Sequence, residues 1–169
     1  YEILVCLVGS EMCIRDKGEM GYNGYIGVEQ EVFNIYAGYE AREDSDYTVT
    51  SVSGNVTLDA LKLGLNAWID DGEVGKDKSD VKLTGFYASA GYALSEKLTL
   101  AAGYATNTTE NSAKALNGED IDQSYMNVAA MYTLSDKVDM GIDIKQELDS
   151  GFSNVDEETH VFAAAYYYF

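Results

Sequence analysis

The sequence predicts an all-β protein in which antiparallel strands cross a membrane as a barrel. The chain of 169 residues contains 14 Tyr, 16 Gly and no Pro, a composition that suits strands and tight turns rather than helices. Apolar and polar residues alternate along many segments, as in strands with one lipid-facing side and one wet side. No apolar run reaches the ~20 residues of a membrane-spanning helix, so strands of about 9–11 residues closed into a barrel would do the crossing.

The C-terminal strand carries the clearest alternation. Counting back from the last residue, every second position is apolar and forms one face: Phe169, Tyr167, Ala165, Ala163 and Val161. In soluble proteins, charged residues or Pro usually protect an edge strand from pairing with another chain, whereas this strand stops on an aromatic residue. The segment resembles the closing strand of bacterial outer-membrane β-barrels. The resemblance implies that these residues are the assembly signal read by the barrel-assembly machinery.

Two segments, 87–100 and 127–140, nearly repeat each other as strand, tight turn and strand. Their turns read Leu-Ser-Glu-Lys and Leu-Ser-Asp-Lys, with turn-forming Ser95 and Ser135 followed by an acidic residue. The pattern Tyr-x-Leu-Ser-acid-Lys resembles a periplasmic turn of Gram-negative general porins. Those porins often carry Lys-Arg where this chain has Glu-Lys or Asp-Lys.

The alternation predicts about eight full strands and a partial one at 22–28. The segment 48–58 is also predicted to be a strand, but its residues do not show its phase, that is, which of its two faces meets lipid. Lipid-facing positions are predicted at Phe33, Ile35, Ala37, Tyr39 and Ala41, at Leu61, Leu63, Leu65, Ala67 and Ile69, at Leu98, Leu100, Ala102 and Tyr104, at Met126, Val128, Ala130 and Tyr132, and at Val138, Met140, Ile142 and Ile144. With the C-terminus in the periplasm, the serine turns are periplasmic, and long outer connections are expected at 42–46, 70–80, 107–123 and 147–158.

The opposite strand faces are polar and predict a hydrated interior. The expected pore-lining residues are Asn34, Tyr36, Glu40, Lys62, Asn66, Trp68, Asp70, Asn127, Asp139, Asp143, Lys145 and His160. We expect no enzyme, cofactor or metal site, because His160 is the only histidine and the sequence places no nucleophile or ligand set beside it. Asp139 and Asp143 are interpreted as wall charges rather than an acid pair. Trp68 is interpreted as a rim or lumen aromatic, with a sugar-stacking role as the minor alternative.

Residues 1–16 differ abruptly in character from the rest of the chain. They contain both cysteines, Cys6 and Cys13, and the one continuous aliphatic run, but lack the initiator Met, basic region and cleavage site of a signal peptide. The segment resembles translated sequencing-adapter read-through. We therefore expect 1–16 to be a non-native artefact and 17–169 to be an outer-membrane barrel fragment whose native start lies further upstream.

The formal net charge of −18 argues against a nucleic-acid partner, since phosphate binding needs clustered Lys and Arg. Much of the acidity falls in the predicted outer connections, where it keeps the chain solvated. Carboxylates there also suit Ca²⁺ or Mg²⁺ bridges to lipopolysaccharide phosphates. The same charges predict that a pore would prefer cations.

From 21 to 169 the pattern is similar to the C-terminal half of a Gram-negative general porin, with the terminal strand and the serine turns as its specific motifs. The resemblance implies a water-filled barrel of about sixteen strands in the outer membrane, typically a homotrimer, through which small hydrophilic solutes and ions diffuse passively. It also implies that the constriction loop lies in the N-terminal half. The alternative is a complete eight-stranded barrel without an open pore, acting as a structural anchor or adhesin, and an outer-membrane enzyme is the third interpretation.

Overall fold

The computed structural model describes residues 2–6, 21–42, 47–74, 79–111, 120–152 and 155–168, which form strands and turns only. Ten antiparallel strands follow one another in a single sheet in chain order: β1 (Glu2–Cys6), β2 (Gly21–Glu29), β3 (Phe33–Arg42), β4 (Tyr47–Leu58), β5 (Leu61–Val74), β6 (Ser79–Ala93), β7 (Leu98–Asn111), β8 (Ile121–Ser135), β9 (Val138–Asp149) and β10 (Thr159–Tyr167). Within the described ranges, β1 and β10 do not pair with each other, so the sheet is open.

Among the residues that the structure describes, no helix is long and apolar enough to cross a membrane.

Several strands are longer than the alternation predicted. β5, β6, β7 and β8 have 14 or 15 residues, more than the about 9–11 needed to cross a bilayer. The connection expected over 70–80 is therefore wrong at both ends, because its first and last residues belong to β5 and β6. Strand residues also shorten the other three expected connections, to 43–46, 112–120 and 150–158. The reason is that backbone hydrogen bonds between the strands continue beyond the residues in which apolar and polar side chains alternate. Pairs such as Asp71 with Lys82 also place opposite charges across the strands.

Short turns close the end of the sheet at which the C-terminus lies. Ser95 Oγ accepts a hydrogen bond from the backbone N–H of Leu98 at 3.1 Å. Ser135 Oγ accepts one from the backbone N–H of Lys137 at 3.3 Å. Both serines thus act as the turn residues that the repeat predicted. Between β4 and β5, Asp59 has a φ of 51°, the left-handed conformation that Asp tolerates in a tight turn.

Cross-strand register assembles the predicted apolar positions into one continuous face. Leu65 lies opposite Ala88, Leu100 opposite Ala130, and Ile142 opposite Ala163. The register also fixes the phase of β4, because Val52 pairs with Ala37 on one side and with Ala67 on the other. This face, called the apolar face below, runs from β2 to β10.

The apolar face is exposed rather than packed against a second layer. Leu65 is 56% exposed, Val128 48% and Val161 63%. The only buried hydrophobic residues among those described are Ala41 and Ala105. A continuous exposed apolar surface of this kind is stable only in an apolar environment, because transfer of such side chains to water is unfavourable.

Candidate functional site

The polar face of the sheet lies opposite the apolar face and contains every predicted pore-lining residue. The cross-strand pairs that place them there are Asn34 with Asn55, Tyr36 with Ser53, Glu40 and Asp70 each with Val49, Lys62 with Thr57, Asn66 with Ser53, Trp68 with Ser51, Asn127 and His160 each with Lys145, Asp139 with Tyr166, and Asp143 with Ala129. The alternation therefore assigned these side chains to a common face. That this face lines a pore remains a prediction.

At the end of the sheet with the longer connections, four side chains form a cluster. The Arg42 guanidinium donates hydrogen bonds to Glu40 at 3.0 and 3.2 Å, and its central carbon lies 5.1 Å from the centroid of the Tyr47 ring. The Tyr47 hydroxyl donates to Asp70 at 3.0 Å. Because Arg42 and Glu40 are solvent-accessible, their ion pair positions these groups more than it stabilises the sheet.

A second network crosses β6, β8 and β9. The Tyr87 hydroxyl donates to Oδ1 of Asn127 at 3.3 Å, and the Asn127 amide donates to Asp143 at 2.8 Å. Beside it, the Lys145 ammonium lies 4.4 Å from the centroid of the Tyr125 ring, where the negative ring face stabilises a cation. These contacts order one part of the polar face, in which Asp143 and Lys145 contact different partners.

Glu147 lies between the side chains of Lys145 and His160, near the end of β9 that leads into a long connection. Its Oε1 lies 3.8 Å from Lys145 Nζ and 3.5 Å from His160 Nε2. His160 is also 3.7 Å from Glu158. In the part of the chain that the structure describes, no group of three or more His, Cys, Asp or Glu side chains is arranged to hold a metal ion.

Asp139 and Asp143 lie on the same face of β9 and have separate hydrogen-bond partners. Asp139 accepts a hydrogen bond from the Tyr168 hydroxyl at 3.1 Å. Tyr168 follows the last strand, and this hydrogen bond raises the pKa of its hydroxyl above the ordinary value, because ionisation would place a phenolate beside a carboxylate.

The Trp68 indole lies over Gly85, its cross-strand partner on β6. A Cβ added at Gly85 would lie 2.6 Å from Cζ2 and 2.8 Å from Cε2 of the Trp68 ring, closer than carbon atoms can approach. Glycine is therefore the residue that permits this ring position. Tyr36 makes the same kind of contact with Gly27, and Tyr87 makes it with Gly103.

Sequence reasoning missed several polar-face residues. Tyr47 was missed because the predicted strand began at Thr48 whereas β4 begins at Tyr47, and Arg42 and Glu147 were assigned to outer connections but lie in strands. Tyr87 was recognised only as part of the repeat. Its pairing with Asn66 across β5 and β6, once known, identifies its face.

The terminal strand adds its predicted assembly residues to the apolar face. Val161, Ala163, Ala165 and Tyr167 lie opposite Ile144, Ile142, Met140 and Val138 of β9, in that order. Phe169 lies outside the described residues. The assembly role of this set remains a prediction.

The fold is similar to that of solved outer-membrane proteins of Vibrio cholerae. The loop L8 deletion mutant of OmpT matches with a TM-score of 0.73 and 14% identity, over 90% of this chain and 55% of that one. Outer-membrane expressed OmpT matches with a TM-score of 0.71 and 15% identity, over 89% and 57%. OmpT folded in vitro, in its trimer form, gives 0.67 and 14%, over 88% and 57%.

The chain thus spans just over half the length of these solved barrels. No curated protein sequence gives a significant match. At these identities, the structural likeness establishes the fold alone. An open antiparallel sheet with one apolar and one polar face agrees with part of such a barrel.

The sequence itself identifies the family. The family model described as Gram-negative porin matches residues 15–168, which include all strands from β2 to β10 and both faces described above. The chain belongs to the Gram-negative porin family and is an integral β-barrel protein of the outer membrane.

Proposed function

We propose that the full-length protein is a water-filled channel for the passive diffusion of small hydrophilic solutes and ions. The observation that supports this most directly is the division of nine strands, β2 to β10, into one continuous apolar face and one continuous polar face. A wall with lipid on one side and water on the other requires this division. We infer a transport role rather than catalysis, since the polar face offers hydrogen-bonding and charged groups without an activated nucleophile.

We further propose that this chain supplies about half of a barrel of roughly sixteen strands, with the polar face as part of the pore wall. The C-terminus would lie in the periplasm, since short turns in such barrels face the periplasm and long connections face outward. The predicted pore-lining residues would then contact permeating solutes from Lys62 and Asp139 near the periplasmic end to Glu40 and Asp70 near the outer end.

The channel is proposed to prefer cations. Acidic side chains outnumber basic ones on the described polar face: Glu29, Glu40, Asp70, Asp139, Asp143 and Glu147 against Arg42, Lys62 and Lys145. Arg42 and Lys145 are within ion-pair distance of Glu40 and Glu147. Such a wall raises the local concentration of cations. The preference should weaken in concentrated salt, because the Debye length is about 10 Å at 0.1 M and shorter above it.

Planar-bilayer recordings of the full-length protein test both statements. Stepwise conductance in KCl supports the channel, whereas a folded protein that conducts no current would favour a closed anchor. Under a KCl gradient, the sign of the reversal potential then reports ion preference. A sign showing chloride preference would contradict the cation preference and leave the channel intact.

The proposed partners correspond to the surfaces of the sheet. The apolar face would contact outer-membrane lipid, and carboxylates in the outer connections would bind lipopolysaccharide phosphates through divalent cations. The terminal strand would be read by the barrel-assembly machinery. A homotrimer is proposed because one solved barrel of this fold is a trimer form, and cross-linking of the full-length protein in membranes tests it.

A further inference from the structure

A cavity of about 450 Å³ lies on the polar face near the end of β9 that leads into a long connection. Its lining includes Tyr125 on β8, Lys145 and Glu147 on β9, and Phe152 and Val155 from the connection. The cavity therefore combines charges of both signs with apolar side chains. A few charged or polar groups beside apolar surface are the usual make-up of a small-molecule site.

Hydrogen bonds fix the lining of this cavity. The Asn107 amide donates to Oε1 of Gln123 at 3.2 Å, and the Gln123 amide donates to the carbonyl oxygen of Ser150 at 3.2 Å. The backbone N–H of Val155 donates to the carbonyl oxygen of Phe152 at 3.2 Å. β7 is thus linked through β8 to the connection that supplies the apolar side chains. A lining that is already ordered loses little conformational entropy when a ligand binds.

The Lys145 ammonium keeps its hydrogen-bond donors available. It lies 4.4 Å from the centroid of the Tyr125 ring and 3.8 Å from Oε1 of Glu147, and the second distance is too long for a hydrogen bond. Among the residues that the structure describes, no oxygen accepts a hydrogen bond from this ammonium. Because an ammonium has three N–H donors, it can donate to the carboxylate of a solute.

Glu147 places a carboxylate beside this ammonium. Its Oε2 accepts a hydrogen bond from the backbone N–H of Glu158 at 3.3 Å. The side chains of Lys145 and Glu147 are only 31% and 26% exposed, so salt screens their charges less than it screens charges in open solvent. A single cation or anion in the cavity meets one attractive and one repulsive charge. A zwitterion, in contrast, can place each of its charges beside the opposite one.

We propose that this cavity binds zwitterionic α-amino acids that have an apolar side chain. The carboxylate of the solute accepts hydrogen bonds from Lys145, and its ammonium donates to Glu147. Both charged groups of an α-amino acid are attached to one carbon atom, which suits the short distance between the two protein charges. The apolar side chain of the solute packs against Phe152 and Val155, which are otherwise exposed.

Saturation-transfer NMR of the full-length protein in lipid nanodiscs tests this proposal with L-leucine as the probe. The first comparison ligand is 4-methylpentanoate, which lacks the ammonium group of leucine, and the second is 3-methylbutylamine, which lacks its carboxylate. Leucine should bind with a dissociation constant on the order of a millimolar. Each comparison ligand should bind at least about fivefold more weakly, because it loses one of the two charge-assisted contacts.

Substitutions in the cavity should weaken leucine binding. We expect a loss of about fivefold to tenfold for Lys145→Met and for Glu147→Gln, and about threefold for Phe152→Ala. The matched controls are Lys137→Met and Glu96→Gln, because these exposed side chains lie in turns at the opposite end of the sheet. Both controls should leave leucine binding unchanged. Heat-modifiable gel mobility verifies that each variant is folded.

Equal affinity for leucine and both comparison ligands in the parent protein would overturn the inference, and this comparison requires no variant to fold. Equal losses of leucine binding in the Lys145 and Lys137 variants would also overturn it, as would a folded parent protein that shows no saturable leucine binding. The measurement does not involve ion current. A failure of the proposed channel function would therefore appear in the bilayer recordings alone.

Discussion

Gly85 decides where the Trp68 indole lies. The ring occupies the space in which any other residue at position 85 would hold its Cβ, and the backbone oxygen of Thr106 lies only 2.9 Å from that point. The backbone cannot move away easily, because Gly85 pairs with β5 on one side and with β7 on the other. A single missing side chain thus determines the orientation of the largest aromatic residue on the polar face.

Gly85→Ala should therefore destabilise the folded protein by about 1–3 kcal/mol, the usual range for overpacking. Gly91→Ala is the matched control: it lies on the same strand and face, and its nearest atoms would be 3.9 and 4.0 Å from the new Cβ. Its effect should stay within about 0.5 kcal/mol. Urea unfolding in a lipid or detergent environment measures both, and equal midpoints would contradict the role assigned to Gly85.

Asp143 is a carboxylate of the polar face at a central position of β9, and it accepts a hydrogen bond from the Asn127 amide at 2.8 Å. Asp143→Asn removes the charge with little change in volume. We expect the reversal potential under a KCl gradient to move toward the value for a less cation-selective channel, since the local field weakens. Asp136→Asn, in the turn between β8 and β9, is the control and should have the smaller effect. A larger shift of the reversal potential with Asp136→Asn would show that ion selectivity depends on the turn more than on the polar face.

β10 provides a direct test of which face meets lipid. Ala163 pairs with Ile142 on the apolar face, and its neighbour Ala164 pairs with Gly141 on the polar face. Arg on a lipid-facing position near the bilayer midplane costs roughly 2–4 kcal/mol, whereas pore-facing positions tolerate charge. Ala163→Arg should therefore reduce the folded fraction, measured by heat-modifiable gel mobility, and Ala164→Arg should not. A lower folded fraction for Ala164→Arg than for Ala163→Arg would show that the face containing Ala164, and not the apolar face, meets lipid.

The end of the same strand should act as an assembly signal. Removing Phe169 from the full-length protein should lower insertion into the outer membrane and leave material in the periplasm for proteolysis, because Phe169 continues the two-residue spacing of apolar residues that runs from Val161 to Tyr167. Fractionated membranes and heat-modifiable mobility measure this. Unchanged insertion after deletion of Phe169 would show that the signal lies elsewhere.

Elements with strict alternation were predictable from their residues. The faces of β3, β5 and β7 to β10 agree with the register, because each carries four or five consecutive apolar residues at a spacing of two. β4 was ambiguous since Thr and Val occupy both of its faces, and only its pairing with β3 and β5 shows which face is which. The ends of the strands could not be predicted from the sequence either, because backbone pairing continues beyond the apolar part of each strand. The contacts of Trp68 and Tyr87 with glycines depend on cross-strand register, which local sequence does not specify.

The sheet as a whole should not depend on residues 1–16. Among the described strands, β1 pairs only with β2, from Glu2 with Glu29 to Cys6 with Tyr25, whereas β2 to β10 are linked to one another by longer ladders. A chain that begins at Lys17 should keep the pairing of β2 to β10. Hydrogen exchange after refolding in detergent micelles, compared with the chain from Tyr1, measures this. Loss of amide protection across β2 and β3 would show that β1 belongs to the native barrel.

The rings that lie over glycines would also offer a way to change the bore of the proposed channel. Barrel diameter depends on strand number and stagger, both of which change only by gain or loss of whole hairpins or by slippage of register. At Gly85, one added methyl group would displace the Trp68 indole from the sheet, toward the space through which solutes of the proposed channel would pass. The calibre of that passage could thus change through a single substitution, without gain or loss of strands, for as long as the fold tolerates the added group.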